Sequence, residues 1–209
     1  MKGVKLYRWL CLTGLLALVF YFLHDVIGGQ AYPGYQWTRQ AVSDLTASDA
    51  PSFVVATGFI SVYKIFSCLV CALASGMVVS HPNKSLRWGI HLFTSMTFIS
   101  AIGYSLFPLS SSGYDGSWQS AIHVYVISIA VVVLSIISLA LISKAGMGKK
   151  SNYSLLGKFA LICLSLMFIG ALGSGLVPSD FFGIFERLST YSAVVFTGNL
   201  GVWGYLGSN

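Results

Sequence analysis

The chain carries only six carboxylates and four histidines, and several of them stand where long apolar segments begin or end. His24 and Asp25 lie near the end of the first apolar segment, and His123 lies near the start of the fourth. Imidazole and carboxylate groups are common zinc ligands, and both transfer protons in enzymes. We therefore interpret His24, His123 and Asp25 as candidate ligands of a divalent metal such as zinc.

A second group of candidate residues lies in the long connection after the first apolar segment and at the start of the last one. Ser43 and Asp44 supply a hydroxyl and a carboxylate, and Glu186 and Arg187 supply a carboxylate and a guanidinium. Acyl and phosphoryl transfer use such groups as nucleophile, as base and as cation for an oxyanion or phosphate. These four are the candidate catalytic residues.

Five further side chains are suited to holding a substrate near the same face. They are Tyr32, Tyr35, Arg39, Tyr104 and Lys64. Lys64 is distinct, because it falls near the middle of the second apolar segment. A lysine at that depth needs a polar partner, a water-filled cavity or a route for its ammonium to reach the interface.

Each of these positions also has a structural interpretation. Ser43 and Asp44 are good helix N-cap residues, and Glu186 in a first helical turn would complement the helix dipole. His24 and His123 could each donate to a backbone carbonyl. The sequence leaves both interpretations open.

Composition places these residues in a membrane protein. The chain is 56% hydrophobic and 9% charged, whereas about 25% of residues in soluble domains are charged. Crossing a bilayer takes about 20 apolar helical residues, and unpaired backbone groups are costly in lipid. The predicted fold class is therefore all-α, a single integral membrane domain over 1–209 with six transmembrane helices. The predicted spans are residues 9–29, 52–79, 87–108, 119–144, 155–177 and 183–206.

Charge is divided between the two ends of this predicted bundle. The six acidic residues fall at one end: Asp25, Asp44, Asp49, Asp115, Asp180 and Glu186. Nine of the twelve basic residues fall at the other: Lys2, Lys5, Arg8, Lys84, Arg87, Lys144, Lys149, Lys150 and Lys158. Because basic residues favour the cytoplasmic side, we predict a multi-pass cell-membrane protein with both termini in the cytoplasm. The basic residues are explained by topology and anionic headgroups, so membrane lipids, not nucleic acid, are the predicted partners.

The first connection on the acidic side is predicted to be structured. Its second half places Ala41, Val42 and Leu45 on one helical face beside Trp37, which indicates a short helix lying in the membrane interface. Glycines within the spans are predicted to let helices approach closely. Cys68 and Cys71 form a C-x-x-C, but no second ligand pair accompanies them, so we interpret them as buried thiols of an apolar helix.

Several of these segments together resemble a known group of proteins. They are the run YPGYQWTRQAVSDLTA at residues 32–47, Phe107-Pro108 at the end of a span, His123, and Glu186-Arg187 opening the last span. The chain resembles, over nearly its whole length, the bacterial and archaeal multi-spanning membrane proteins of domain-of-unknown-function family 998. The resemblance implies the fold and the motif positions, but no activity.

In that family a Pro-Gly-Tyr is followed by Ser, an acid and Leu, which here fall on residues 33–35 and 43–45. The acid is Asp44, where Glu is also common, one methylene longer. A more distant likeness is to the membrane hydrolases that include alkaline ceramidases, which use Ser, Asp and several His around zinc. This chain offers Ser43, Asp44, His24 and His123, but it lacks the paired C-terminal histidines and the seventh span of that group.

Four functions remain open at this point. The first is a hydrolase or transferase, with or without a metal, acting on a lipid or lipid-linked substrate. The second is a transporter or ligand-binding protein with Lys64 on its path, which requires a polar cavity that continues toward the cytoplasm. The third is a haem or quinone protein with His24 and His123 as ligands, and the fourth is a partner subunit without chemistry.

Overall fold

The computed structural model describes residues 6–148 and 153–207, and within these ranges every regular element is a helix. The six long helices are α1 (Leu6–Gln30), α2 (Phe53–Val78), α3 (Lys84–Leu106), α4 (Trp118–Gly146), α5 (Ser154–Leu176) and α6 (Phe182–Leu206). Each begins and ends within a few residues of a predicted segment, so the all-helical prediction is confirmed. Lys2, Lys5, Lys149, Lys150 and the last two residues lie outside the described ranges.

Four of the described helices, α1, α2, α4 and α5, are long and apolar enough to cross a membrane. The helices α3 and α6 are of similar length but carry more polar side chains. Glu186 and Arg187 stand in the second turn of α6, and His91 lies in α3. The four apolar helices indicate a membrane protein. The two more polar helices contribute ionisable side chains to its interior, among them Glu186 and Arg187.

The helices pack in a ring in chain order, with α6 closing against α1 and also touching α2. Small residues permit some of the closest approaches. A Cβ on Gly170 of α5 would overlap the backbone nitrogen of Ser189 and lie 2.6 Å from the carbonyl oxygen of Phe185, both on α6. The predicted role of glycine in close packing therefore holds at this crossing.

Replacing Gly170 with alanine is expected to destabilise the bundle by about 1–3 kcal/mol, because the added methyl group meets backbone atoms that cannot rotate away. Gly175→Ala, on the same helix with nothing within 4 Å of its Cβ position, is the matched control and should be neutral or slightly stabilising. Thermal unfolding of both variants in the same detergent checks this. Equal midpoints would contradict the close α5–α6 crossing.

Because successive helices alternate in direction, all six acids lie at one end of the ring, called here the acidic end. The opposite half contains a packed apolar cluster built from five helices. Its fully buried members include Val70, Leu86, Phe93, Leu139 and Phe196, and the rings of Phe93 and Phe196 meet edge to face at 4.9 Å. This cluster fills the half of the bundle beyond the candidate residues.

At the acidic end, the first connection is hydrogen-bonded to the second connection and to the start of α6. The Ser48 amide donates to the Leu109 carbonyl over 2.9 Å, and the Gly183 amide donates to the Thr38 carbonyl over 2.8 Å. The first connection contains a single turn of 3₁₀ helix, Val42–Thr46. Val42 and Leu45 are buried among the helices, so this short 3₁₀ helix packs against the bundle. Its position relative to the membrane interface stays a prediction.

Candidate functional site

A cavity of about 980 Å³ occupies the acidic half of the bundle, at the upper end of the range for small-molecule pockets, about 300–1,000 Å³. Eight of the twelve candidate residues line it: His24, Arg39, Ser43, Asp44, Lys64, Tyr104, His123 and Glu186. Many of the other lining residues are serine or threonine. Residues far apart in sequence thus share one polar cavity.

Both cavity histidines have one ring nitrogen fixed by a backbone carbonyl. Nδ1 of His24 lies 3.1 Å from the Ala56 oxygen, and Nδ1 of His123 lies 2.8 Å from the Phe107 oxygen. A carbonyl only accepts, so Nδ1 carries the hydrogen, and in the neutral ring Nε2 keeps the lone pair. Each ring therefore has a basic nitrogen left for a ligand or a substrate proton.

A local departure from α-helical geometry places His123. Residues Ile122–Ser128 of α4 form a π-helix, a rare form that is frequent at functional sites. The Ser128 hydroxyl donates to the His123 carbonyl over 2.9 Å, and the Tyr104 hydroxyl donates to Ser128 over 3.0 Å. The Tyr104 ring also packs on the His123 ring, with centroids 4.6 Å apart. Tyr104 and Ser128 thereby hold the histidine in place.

Glu186 faces the 3₁₀ turn from α6. Its Oε2 accepts from the Val42 amide over 3.3 Å, and its Oε1 lies 3.4 Å from the Thr190 hydroxyl. Both contacts are long for hydrogen bonds to a carboxylate, which are usually about 2.7–2.9 Å. Glu186 is therefore a lightly held acid on the cavity wall, and Thr190 is a lining residue that the sequence did not single out.

Asp44 is held much more firmly, by both of its oxygens. Oδ1 accepts from the Gly113 amide over 2.9 Å, and Oδ2 accepts from the Ala41 amide over 3.2 Å. Burial raises the pKa of this carboxyl above its usual value, while the two amide bonds act in the opposite direction. Asp44 therefore joins the two connections at the acidic end and caps the 3₁₀ turn, which agrees with its structural interpretation.

Lys64 reaches the cavity from α2. Its ammonium donates to the Ser105 hydroxyl of α3 over 2.8 Å, and among the described residues it takes part in no ion pair. His24 and His123 line the same cavity. The cavity thus contains a cation whose described partner is neutral, together with two imidazoles.

Arg187, Asp25 and Tyr35 are not among the residues that line the cavity. Arg187 forms a buried, two-pronged ion pair with Asp25, with N···O distances of 2.9 and 2.8 Å. Its remaining N–H groups donate to the Tyr35 hydroxyl and to the carbonyls of Trp37, Gln40 and Gly183. This set of contacts, the arginine clamp, ties the first connection to α1 and α6.

The arginine clamp gives three predicted site residues a structural role. Every donor of Arg187 has a protein acceptor, and Asp25 also accepts from the Tyr191 hydroxyl over 2.7 Å. The Tyr35 hydroxyl itself donates to the Ala41 carbonyl over 2.7 Å. Tyr32 stacks near Tyr35 and packs against buried residues of the connections. These side chains position the cavity wall and are not presented to a ligand.

The predicted metal ligands are not assembled. Among the described residues, no group of three or more His, Cys, Asp or Glu side chains is placed to hold a metal ion, and Asp25 is engaged by Arg187. Cys68 and Cys71 are free thiols, and Cys71 lies 3.4 Å from the Thr97 hydroxyl.

Comparison with known proteins places these residues in a family. A family model described as "Protein of unknown function (DUF998)" matches residues 15–203, which include every candidate residue. The resemblance drawn from the sequence is therefore confirmed. No curated protein and no solved structure matches the chain.

Proposed function

The chain belongs to the DUF998 family, whose description assigns no activity, and from the site itself we propose an integral membrane enzyme. The proposed activity is that of a hydrolase or transferase acting on a lipid or lipid-linked substrate. The observation that carries the proposal is the pair His24 and His123 on the wall of one cavity, each with Nδ1 fixed by a carbonyl.

The cavity offers the groups that such a reaction needs. Nε2 of His123 is the proposed general base, taking a proton from water or a substrate hydroxyl, and His24 is the second proton carrier. Lys64 is proposed to stabilise the negative charge that develops at the reacting centre. Glu186 is the proposed acid, since its carboxylate has only two long contacts.

The alternative of transport is less well supported. Most lining residues come from the acidic halves of the helices, and the deepest ones, Ser67, Ser135 and Thr197, lie just past the helix midpoints. Met96 and Met167 on the cavity wall belong to the apolar cluster below it. A transporter would need a polar path through this cluster. A cavity that ends at this cluster favours a reaction or a binding event at the acidic end over passage through the bundle.

We propose that the acidic end faces outward, since the basic residues favour the cytoplasm. In a chain with its natural cysteines replaced, Tyr114→Cys at the acidic end should react with a membrane-impermeant maleimide on intact cells. Met147→Cys at the basic end should react only after lysis. Both positions are exposed, at 52% and 61%, so accessibility alone does not separate them. The reverse labelling pattern would overturn the orientation.

The enzymatic proposal is tested by incubating the purified protein with a total lipid extract in nanodiscs and following every lipid species by mass spectrometry. We expect at least one lipid to be consumed by the wild type and spared by the His24→Asn/His123→Asn double variant. If neither protein changes the lipid composition, the enzymatic proposal is rejected, and ligand binding from the acidic end remains as the function of the cavity. A Soret band in the purified protein would instead favour the haem alternative.

A further inference from the structure

Lys64 stands at a side opening of the cavity between α2 and α3. Phe53 and Ser61 on α2 and Ser105 on α3 line the cavity and are also exposed on the outside of the bundle. Lys64 and Ser105 are joined across this seam by their 2.8 Å hydrogen bond. Ser61 lies seven residues after Val54 and four before Ile65, on the same exposed apolar face of α2, and α2 is apolar and long enough to cross a membrane. This places the opening toward lipid.

The opening presents a few polar groups on an apolar surface. Ser61, Lys64 and Ser105 provide two hydroxyls and one ammonium in an otherwise apolar surface, where Val54 and Ile65 are 80% and 65% exposed. An ammonium at membrane depth is costly unless it is paired or hydrated. In the part of the chain that the structure describes, Lys64 has no carboxylate partner. It can therefore be neutralised by an anion that arrives with the lipid.

We infer that the cavity selects lipids with an anionic headgroup, which enter sideways between α2 and α3 and bind Lys64 through that group. The lipid acyl chains remain in the bilayer or follow the apolar part of the cavity wall, such as Ile60 and Val131. The headgroup is then held in the cavity that His24 and His123 also line. This inference rests on the proposed lipid function, because it names the substrate class of the same site.

Lipid retention tests the inference without relying on turnover. The protein is reconstituted in nanodiscs of equal parts phosphatidylcholine and phosphatidylglycerol, extracted, and analysed by native mass spectrometry for bound lipid. The wild type and Lys64→Arg should retain phosphatidylglycerol in preference to phosphatidylcholine. Lys64→Met should reduce that preference about tenfold or more, as expected for loss of a charge-assisted hydrogen bond. An unchanged preference in Lys64→Met overturns the inference.

The route is tested with tryptophan substitutions one turn apart on α2. Ser61→Trp, at the opening, should slow uptake of phosphatidylglycerol, whereas Ile65→Trp, exposed but not lining the cavity, should not. Equal uptake by the two variants overturns the lateral route. Inorganic phosphate is added in a further arm: displacement of the lipid preference by phosphate alone would show a site for a free anion and overturn the lipid assignment.

The two proposals fail in different ways. Retention of phosphatidylglycerol by a wild type that turns over no lipid leaves the inference standing and rejects the enzyme. Turnover that is equally fast for neutral and anionic lipids keeps the enzyme and rejects the inference. His91→Asn provides the internal reference, since its ring is bonded to Ser75 outside the cavity and it should retain phosphatidylglycerol like the wild type.

Discussion

Replacing Arg187 with methionine is expected to be among the most destabilising single changes in the bundle, costing about 3–5 kcal/mol. The side chains of Arg187 and Asp25 are only 8% and 12% exposed, and methionine would leave the Asp25 carboxylate buried with the Tyr191 hydroxyl as its described donor. It would also free the three carbonyls of the arginine clamp. Thermal unfolding in detergent measures the loss.

The exposed ion pair Arg39–Asp180 is the matched control. It has a similar distance, 3.0 Å, but its side chains are 52% and 62% exposed, so Arg39→Met should change stability by only about 0–1 kcal/mol. Combining Arg187→Met with Asp25→Asn should cost less than the sum of the two single changes, because each single variant leaves one buried charge unpaired and the double variant leaves none. Additive losses, or equal losses for Arg187 and Arg39, would contradict the arginine clamp.

Replacing His123 with asparagine is expected to lower lipid turnover by about 10²- to 10⁴-fold while leaving the fold and lipid binding nearly unchanged. The asparagine amide can still donate toward the Phe107 carbonyl that now accepts from Nδ1. It has no basic nitrogen in place of Nε2. The loss should therefore appear in kcat and not in KM, measured on whichever lipid the wild type consumes.

Two comparisons separate this effect from general damage. His91→Asn, on α3 with its ring bonded to Ser75 outside the cavity, should leave turnover unchanged. If His24 and His123 serve one proton transfer, their double variant should be no slower than the slower single variant. A His123→Asn protein with wild-type turnover would remove His123 from the mechanism.

The sequence predicted the helices and the end of the bundle that carries the candidate groups, because apolar length and charge placement are local properties. It also brought His24, Asp44, His123 and Glu186 to one face. It could not separate Asp25 and Arg187 from the cavity, since that depends on which of several nearby acceptors the guanidinium meets. The sequence predicted that Arg187 binds an anion near the membrane surface. In the structure it is buried, and its N–H groups donate to Asp25, Tyr35 and backbone carbonyls.

Two other features had little or no signal in the sequence. No pattern within the segment marks the π-helix at Ile122–Ser128, which Tyr104 contacts from another helix. The opening at Ser61, Lys64 and Ser105 depends on how α2 and α3 pack. Lys64 itself was visible as a cation in an apolar segment, but its neutral partner Ser105 lies 41 residues away.

The most direct test of the central claim is an experimental map of the protein in lipid nanodiscs at a resolution that shows lipid headgroups. We predict a lipid in the cavity. One oxygen of its headgroup should lie within hydrogen-bonding distance, about 2.7–3.2 Å, of the Lys64 ammonium, and the headgroup should lie beside Nε2 of His123. A cavity filled by collapsed side chains, or lipids confined to the outer surface of the helices, would contradict the claim that this cavity is where the protein acts on lipid.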